Sequence, residues 1–419
     1  MLIGYFGSDS VEMKLLVFYP YVPWPLDRGT YHRTFHLLKA LAERHEVDFL
    51  ALTENGEGIP HSHIFEEFCR RVEIIPFTHP AWEKLFPKRL FNPLPPNVAH
   101  WTLSQVKQRL EAILAAQKYD AVHVVDIVLA QYFLQRHERI PLVIDRSRVD
   151  LLYQLAEHRR LNFSPGTKLL RCEGYAKLWF FERAMARRAR FEIVCGPDDK
   201  TFVQRYVDRR AAIEVLVNGV DPAYFSPRAS DEPRAAKPTI LFCGAMDYNP
   251  NLDAMRWYFS EIHDALRKLV SDLEVLIVGK DPGTEIRSYA RQPGVTVTGG
   301  VPDVRPFYRR AWLQIVPLRI GGGSRLKIVE SLAMGTCVVS TTIGAQGLGL
   351  VHDSDILLAD SASEFVAATA RALRHRRRRR GAHRHGDHGA SRPRARRAPT
   401  STGALGSFRE RTQSMKFWI

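Results

Sequence analysis

No apolar run in this chain approaches the roughly 18 residues that a bilayer crossing needs, so no membrane-spanning helix is expected. Cysteine is scarce. The five residues at 69, 172, 195, 243 and 337 show no close pairing, which argues against a disulfide framework and a structural metal site. Histidines 32, 36, 45 and 123 lack ligand spacing with nearby carboxylates, so neither a metal nor a cofactor is expected. The start has no h-region followed by a small-residue cleavage site, and a reducing cytoplasm is the expected compartment. Also missing is a Gly-x-Gly-x-x-Gly after the first strand, which argues against a dinucleotide dehydrogenase.

Positive charge is plentiful but unevenly placed. Of the formal net charge of +15, residues 371–419 hold +13, from fifteen Lys or Arg against two acids. The rest of the chain is nearly neutral, so no specific nucleic-acid partner is expected for it. A basic nucleic-acid or membrane-binding protein remains the alternative from a different class, and in that case the tail would carry the binding.

A length of 419 residues exceeds one ordinary core and favours two α/β domains. Strand patterns lie at residues 14–20, 47–52, 72–76, 121–125, 141–144 and 191–194. Helical patterns at 35–42, 105–117 and 168–188 alternate with them. After a break rich in Pro, Ser and charge at 222–238, further strands are predicted at 239–243, 273–278, 295–298, 313–317 and 337–341. Such alternation reads as two parallel, doubly wound sheets whose carboxyl ends leave a cleft for a ligand. The expected division is an overextended start at 1–12, a first Rossmann-like domain at 13–215 and a second Rossmann-like domain at 216–372. A disordered Arg-rich tail is expected at 373–419. Its abrupt change of composition suggests a frameshift.

The sharpest constellation is Gly321-Gly-Gly-Ser-Arg-Leu-Lys-Ile-Val-Glu330, between a predicted strand and a predicted helix. Gly321, Gly322 and Gly323 let the backbone approach a diphosphate, and Ser324 stands where an N-cap is expected. The helix start would aim amide hydrogens at the phosphates, with Arg325 and Lys327 adding full charges. Glu330, about a turn and a half along, is suited to accept both hydroxyls of a ribose.

Several segments resemble glycosyltransferase family 4 (group 1). They are Val217-Asn-Gly-Val-Asp-Pro-Ala-Tyr-Phe-Ser-Pro227, Gly244-Ala-Met-Asp-Tyr-Asn-Pro-Asn-Leu-Asp-Ala254, Gly300-Val-Pro-Asp-Val-Arg305 and Val316-Pro-Leu-Arg319. The glycine loop and Val339-Ser-Thr-Thr-Ile-Gly-Ala-Gln-Gly-Leu348 complete the set. Within that family the chain is most similar to sugar transferases associated with PEP-CTERM/exosortase exopolysaccharide clusters. The resemblance spans about 13–370 and implies an acceptor-side domain at 13–215 and a nucleotide-sugar-binding domain at 216–372. Where the family ends in a helix that crosses back to the amino domain this chain has its Arg-rich tail, which as written implies a weak or inactive transferase. The resemblance implies the GT-B fold, two Rossmann-like domains facing across a cleft, and transfer of a sugar from a nucleoside diphosphate to an acceptor hydroxyl with retention and without an obligatory metal. It implies donor contacts from Gly244, Asn249, the backbone around Gly300 and Val301, the glycine loop, Arg325, Lys327 and Glu330. Gly29 matches the small residue of the amino-terminal loop that passes close to donor and acceptor. A glycan or lipid-linked acceptor is the implied partner.

The sequence also departs from the family pattern. The first glutamate of the paired motif falls on Gly322, and residues 244–251 contain no Lys or Arg. Where the family often has a histidine, this chain has Asp145-Arg-Ser-Arg-Val-Asp150, so Asp145 is the candidate on the acceptor side. Residues 158–190 mix nine Lys or Arg with Phe163, Tyr175, Trp179, Phe180 and Phe181. That mixture suits either a helix with one aromatic face buried or peripheral contact with the inner face of the plasma membrane. An epimerase of the same architecture is a further alternative. It would convert nucleotide sugar with no acceptor present.

Overall fold

The computed structural model describes residues 12–26, 29–54, 56, 59–79, 89, 91–134, 140–227, 234–321 and 325–384, with side chains described as far as 378. Residues 1–11 of the expected start at 1–12 and the end of the tail, 385–419, lie outside the described residues. The chain divides into two compact units, Met1–Val217 and Asn218–Ile419.

The first unit is built on seven strands: β1 (Lys14–Tyr19), β2 (Glu46–Glu54), β3 (Arg71–Phe77), β4 (Ala121–Val125), β5 (Leu142–Arg146), β6 (Phe191–Val194) and β7 (Ile213–Val215). They lie in the order β3-β2-β1-β4-β5-β6-β7, with every pair parallel. Period-two alternation divides β1 between two cores. Leu16 and Phe18 join Leu50, Leu52, Val122 and Val124 on one face, while Leu15, Val17 and Tyr19 join Phe49 and Ala51 on the other. Because both faces are covered, β4 is buried at every position, as parallel sheets require.

Helices that position this sheet include α1 (Gly29–Ala42), α2 (Ser104–Ala116), α3 (Ile127–Ala130), α4 (Asp150–Arg160) and α5 (Pro165–Arg188). Pro165 at the first turn and Ser164, whose Oγ accepts from the Thr167 amide at 3.3 Å, start α5 before residue 168. Along α5, Leu178, Phe181 and Met185 are buried, while Leu169 and Phe180 are 74% and 66% exposed.

The second unit has six parallel strands: β8 (Thr239–Cys243), β9 (Glu274–Val278), β10 (Val295–Val297), β11 (Leu313–Val316), β12 (Cys337–Ser340) and β13 (Leu357–Leu358). Their order is β10-β9-β8-β11-β12-β13, with every pair parallel. It repeats the order of the first six strands of the other unit. Its helices include α6 (Asn249–Trp257), α7 (Arg305–Arg310), α8 (Leu326–Ala333) and α9 (Ala362–Arg384).

Helix α9 corrects the expected onset of the tail. Residues 373–384 continue the helix instead of leaving it. Leu373 is buried on the core, Arg371 pairs with Asp353 at 2.5 Å and Arg377 with Asp272 at 3.2 Å. Ala and Arg both favour helix, so arginine-rich composition at the end of a packed helix extends it.

Candidate functional site

In each sheet, consecutive strands run outward on opposite sides of the first strand, so a crevice opens where the order reverses, at the carboxyl ends of β1 and β4 in one unit and of β8 and β11 in the other. Ligands bind at such points in open parallel sheets.

In the second unit, β8 ends at Cys243 and the chain turns at Gly244. A Cβ on Gly244 would lie 2.8 Å from both Asn251 Nδ2 and Lys327 Nζ, and one on Gly279, just past β9, would fall on the Gly244 carbonyl. Two backbones therefore touch at this corner, and only glycine permits the approach. The space above is set by three side chains. Lys327 Nζ donates to Asn251 Oδ1 at 2.8 Å, and Asn251 Nδ2 donates to the Ala245 carbonyl at 2.7 Å. The ammonium also stands 4.4 Å from the centre of the Phe242 ring. Its hydrogen-bond partner is thus a neutral amide. Desolvation, with the Arg325 charge adding to it, draws the Lys327 pKa down to about 8.

Three residues further along α8, Glu330 accepts from Tyr308 Oη at 2.7 Å. Burial raises its pKa although Tyr308 and Lys327 both favour the ionised form. Tyr308 is fully buried on α7, and burial lifts the nearby Cys243 thiol to about 12. Lys327 and Glu330 share one helix face by their spacing.

The other candidates in this unit fall around that pair. Gly322, Gly323 and Ser324 lie outside the described residues, so the loop's path is not part of the description. The cap of α8 falls on Arg325, one residue later than expected, and the Arg325 side chain makes no cap hydrogen bond. Arg325 is only 7% exposed, and its guanidinium reaches the Ile343 carbonyl at 3.5 Å. Gly321 stands above it, where an added Cβ would be 3.5 Å from the guanidinium. Asn249, expected to contact the donor, is exposed at the first position of α6, and buried Asn251 two residues on is the one joined to Lys327. Gly300 and Val301 follow β10, and a Cβ on Gly300 would be 3.1 Å from Lys280 Cγ. Lys280 supplies a cation beside a corner where residues 244–251 have none.

The first unit treats its candidates differently. Gly29 opens α1. Asp145 is 1% exposed and accepts from Arg33 Nε at 3.0 Å, with the Arg33 terminal nitrogen 2.8 Å away and His123 Nε2 3.6 Å away. Burial pushes this carboxyl up, but the Arg33 charge and His123 outweigh it and hold it below the usual range. Asp145 is therefore engaged inside the protein instead of turned toward an acceptor, because a carboxylate at the end of a buried strand needs a cation. Its neighbour Arg146 is equally enclosed, 2.6 Å from Glu182 and 3.3 Å from Glu192.

The carboxylate that does stand at the crevice of this sheet was not singled out in the sequence. Asp126 follows β4 with φ at 79°, its amide donates to the Asp145 carbonyl at 2.8 Å, and its side chain caps α3 through the Val128 amide at 3.2 Å. Burial, then the Asp150 charge, lift its pKa to about 6. A left-handed, half-buried aspartate with a raised pKa is the kind of strained, tuned group that marks functional sites. The sequence signal would have been Asp at the turn from a buried strand into a helix. Among the described residues, no group of three or more His, Cys, Asp or Glu is arranged to hold a metal ion, and no helix is long and apolar enough to cross a membrane.

Residues 237–375 match a family described as Glycosyl transferases group 1. Among solved structures the chain is similar to sucrose-phosphate synthase from Thermosynechococcus elongatus, at 19% identity and a TM-score of 0.61 over 96% of this chain and 99% of that one. It is similar to an E. coli trehalose-6-phosphate protein bound with UDP-2-fluoro glucose, at 12% identity and a TM-score of 0.57 over 86% and 91%. A third similarity is to Anabaena HepE in complex with UDP and glucose, at 15% identity and a TM-score of 0.53 over 96% and 100%. A curated relative, an uncharacterized 44.6 kDa protein in the cps region of Klebsiella pneumoniae, is 22% identical over 135 residues. That match covers 30% of this chain and 35% of the relative, so the chain spans about a third of the relative's length. Residues 237–375 thus resemble glycosyl transferases group 1, in a chain whose two parallel-sheet units have the GT-B fold.

Proposed function

We propose that this chain is a glycosyltransferase that moves a sugar from a nucleoside diphosphate to an acceptor hydroxyl, with the donor's diphosphate on the second unit. The observation that carries the reading is Lys327. Its ammonium is desolvated, held by neutral Asn251, and set beside a glycine corner that keeps side chains away. As the bond from the anomeric carbon to the diphosphate oxygen breaks, negative charge grows on the leaving group. A fixed cation and the amides at the start of α8 stabilise it without rearrangement. This arrangement needs no metal. Glu330 takes the ribose hydroxyls. The acceptor oxygen forms the new bond to the anomeric carbon with retention while its proton passes to the departing diphosphate oxygen, and Asp126 on the first unit is the carboxylate we assign to holding the acceptor hydroxyl. The solved relatives bound with UDP and with UDP-2-fluoro glucose support a uridine donor, and the relative from a cps region supports a surface or extracellular polysaccharide as product.

Thermal shift with UDP, GDP, ADP, TDP and their sugars tests the donor side. One nucleotide should raise the midpoint by about 5 °C at 100 times its dissociation constant, and Lys327→Ala and Glu330→Ala should each lose that rise. No shift with any of the four at millimolar concentration would overturn the reading. For a lipid-linked acceptor, exposed Leu169 and Phe180 among the basic residues of α5 suit an anionic membrane surface. Failure of the chain to sediment with phosphatidylglycerol vesicles would remove that element.

A further inference from the structure

Away from the crevice of the first sheet, a cavity of about 450 Å³ opens at the carboxyl ends of β2 and β3, walled by Gly56, Pro76, Thr78, Thr102, Ser104 and Gln105. Its volume falls in the range of small-molecule sites. None of its described lining residues is charged. The wall is braced: Gln105 Nε2 donates to the Pro76 carbonyl at 2.7 Å, tying the start of α2 to β3, and Thr102 Oγ1 donates to Gln131 Oε1 at 2.7 Å. Behind it Trp101 packs at a tilt, 5.4 Å from the ring of Phe77, another lining residue, and meets Tyr21 edge-on at 5.5 Å. Tyr21 is 40% exposed, so the aromatic cluster continues from the cavity wall to the surface.

Hydroxyls and an amide set against apolar walls match a sugar ring, which presents hydroxyls at its rim and C–H groups on its faces. Among the described residues of this wall a phosphate or carboxylate would meet no cation, and its desolvation would go uncompensated there. The cavity lies one to two strands from β1, about 5–10 Å at the spacing of neighbouring strands. From this geometry we infer that the cavity is a subsite for a neutral sugar residue of an extended acceptor, distant from the hydroxyl that receives the new sugar. The chain would then elongate an oligosaccharide and discriminate against monosaccharide acceptors. The role in elongation rests on the transferase reading; the sugar site itself rests on the cavity.

The test uses the full chain, an array of neutral and anionic mono- to tetrasaccharides, and two variants. Thr78→Trp fills the cavity from an exposed position, and Ser104→Ala removes one hydroxyl with little steric change. Neutral tri- or tetrasaccharides should be retained over their monosaccharides. Affinity should drop at least tenfold in Thr78→Trp and about threefold in Ser104→Ala, while the thermal shift with nucleoside diphosphates stays at the wild-type value in both. Retention of anionic glycans alone, of no glycan, or of neutral glycans equally by wild type and Thr78→Trp would overturn the proposal. Neutral glycan binding that is sensitive to Thr78→Trp, with no nucleotide shift in the wild type, would uphold the sugar site while sinking the transferase reading.

Discussion

The two units share a strand order but treat charge at the carboxyl ends of their sheets in opposite ways. At the end of β5, Asp145 and Arg146 are both enclosed, one by Arg33 and the other by Glu182 and Glu192. At the end of β8 the chain offers glycine, and the nearby cation, Lys327, is held by an amide that cannot neutralise it. Identical topology therefore does not confer identical chemistry. In one unit buried ions hold strand ends and helices together; in the other a cation is kept desolvated and able to meet an incoming anion. A group of the first kind should matter to stability and one of the second kind to binding.

The largest expected effect is on the first unit. Arg146→Ala leaves Glu182 and Glu192 buried without their cation and should cost about 3–5 kcal/mol of stability, read as a lower midpoint in urea. A loss of activity with an unchanged midpoint would break the comparison. Next comes Lys327→Ala, which should lower kcat/KM about 100- to 1000-fold at nearly unchanged midpoint.

The pH dependence of nucleotide binding sharpens the same point. On the proposed reading the charged form of Lys327 binds the anion, so affinity in the wild type should weaken as pH rises through about 8. Stability moves the other way over this range. The folded pKa lies below the unfolded one, so the unfolded chain holds more protons, and its advantage fades as pH rises from 8 toward the unfolded value. Calorimetric titration from pH 6.5 to 9.5 reads the first trend and urea midpoints read the second. The smallest expected effect concerns Asp126, where Asp126→Asn should lower kcat by about 10- to 100-fold. It should also remove an acid limb near pH 6, because the wild-type group must be ionised to accept from the acceptor hydroxyl. An unaltered pH profile in the variant would take Asp126 out of the reaction.

Much of the fold was legible because its central strands are covered on both faces and read as short apolar runs. Residues 121–125, 191–194 and 239–243 begin and end where the pattern places them. The edge strands β7 and β13 escaped notice; they have three and two residues and lack such a run. Helix α9 was cut short because composition outweighed propensity in reading its arginines. At the site, the glycine loop pointed to Lys327 and Glu330, since local order of strand, glycine, cation and helix is visible in one dimension. The partner of Lys327 was not visible, because Asn251 lies 76 positions away. Distance along the chain also hid the fate of Asp145: the arginine that claims it is 112 residues earlier. The left-handed backbone of Asp126 is a property of three-dimensional context and left no local mark.

The contact between the backbones at Gly244 and Gly279 limits how this protein can be re-engineered. Neither position tolerates even a methyl group, so combinatorial libraries aimed at a new donor would lose every member that varies them. Diversity has to be introduced around that fixed corner, at Lys280, Asn251 and Tyr308. There a side chain already exists, and its replacement changes what the pocket reads without moving the strands that frame it.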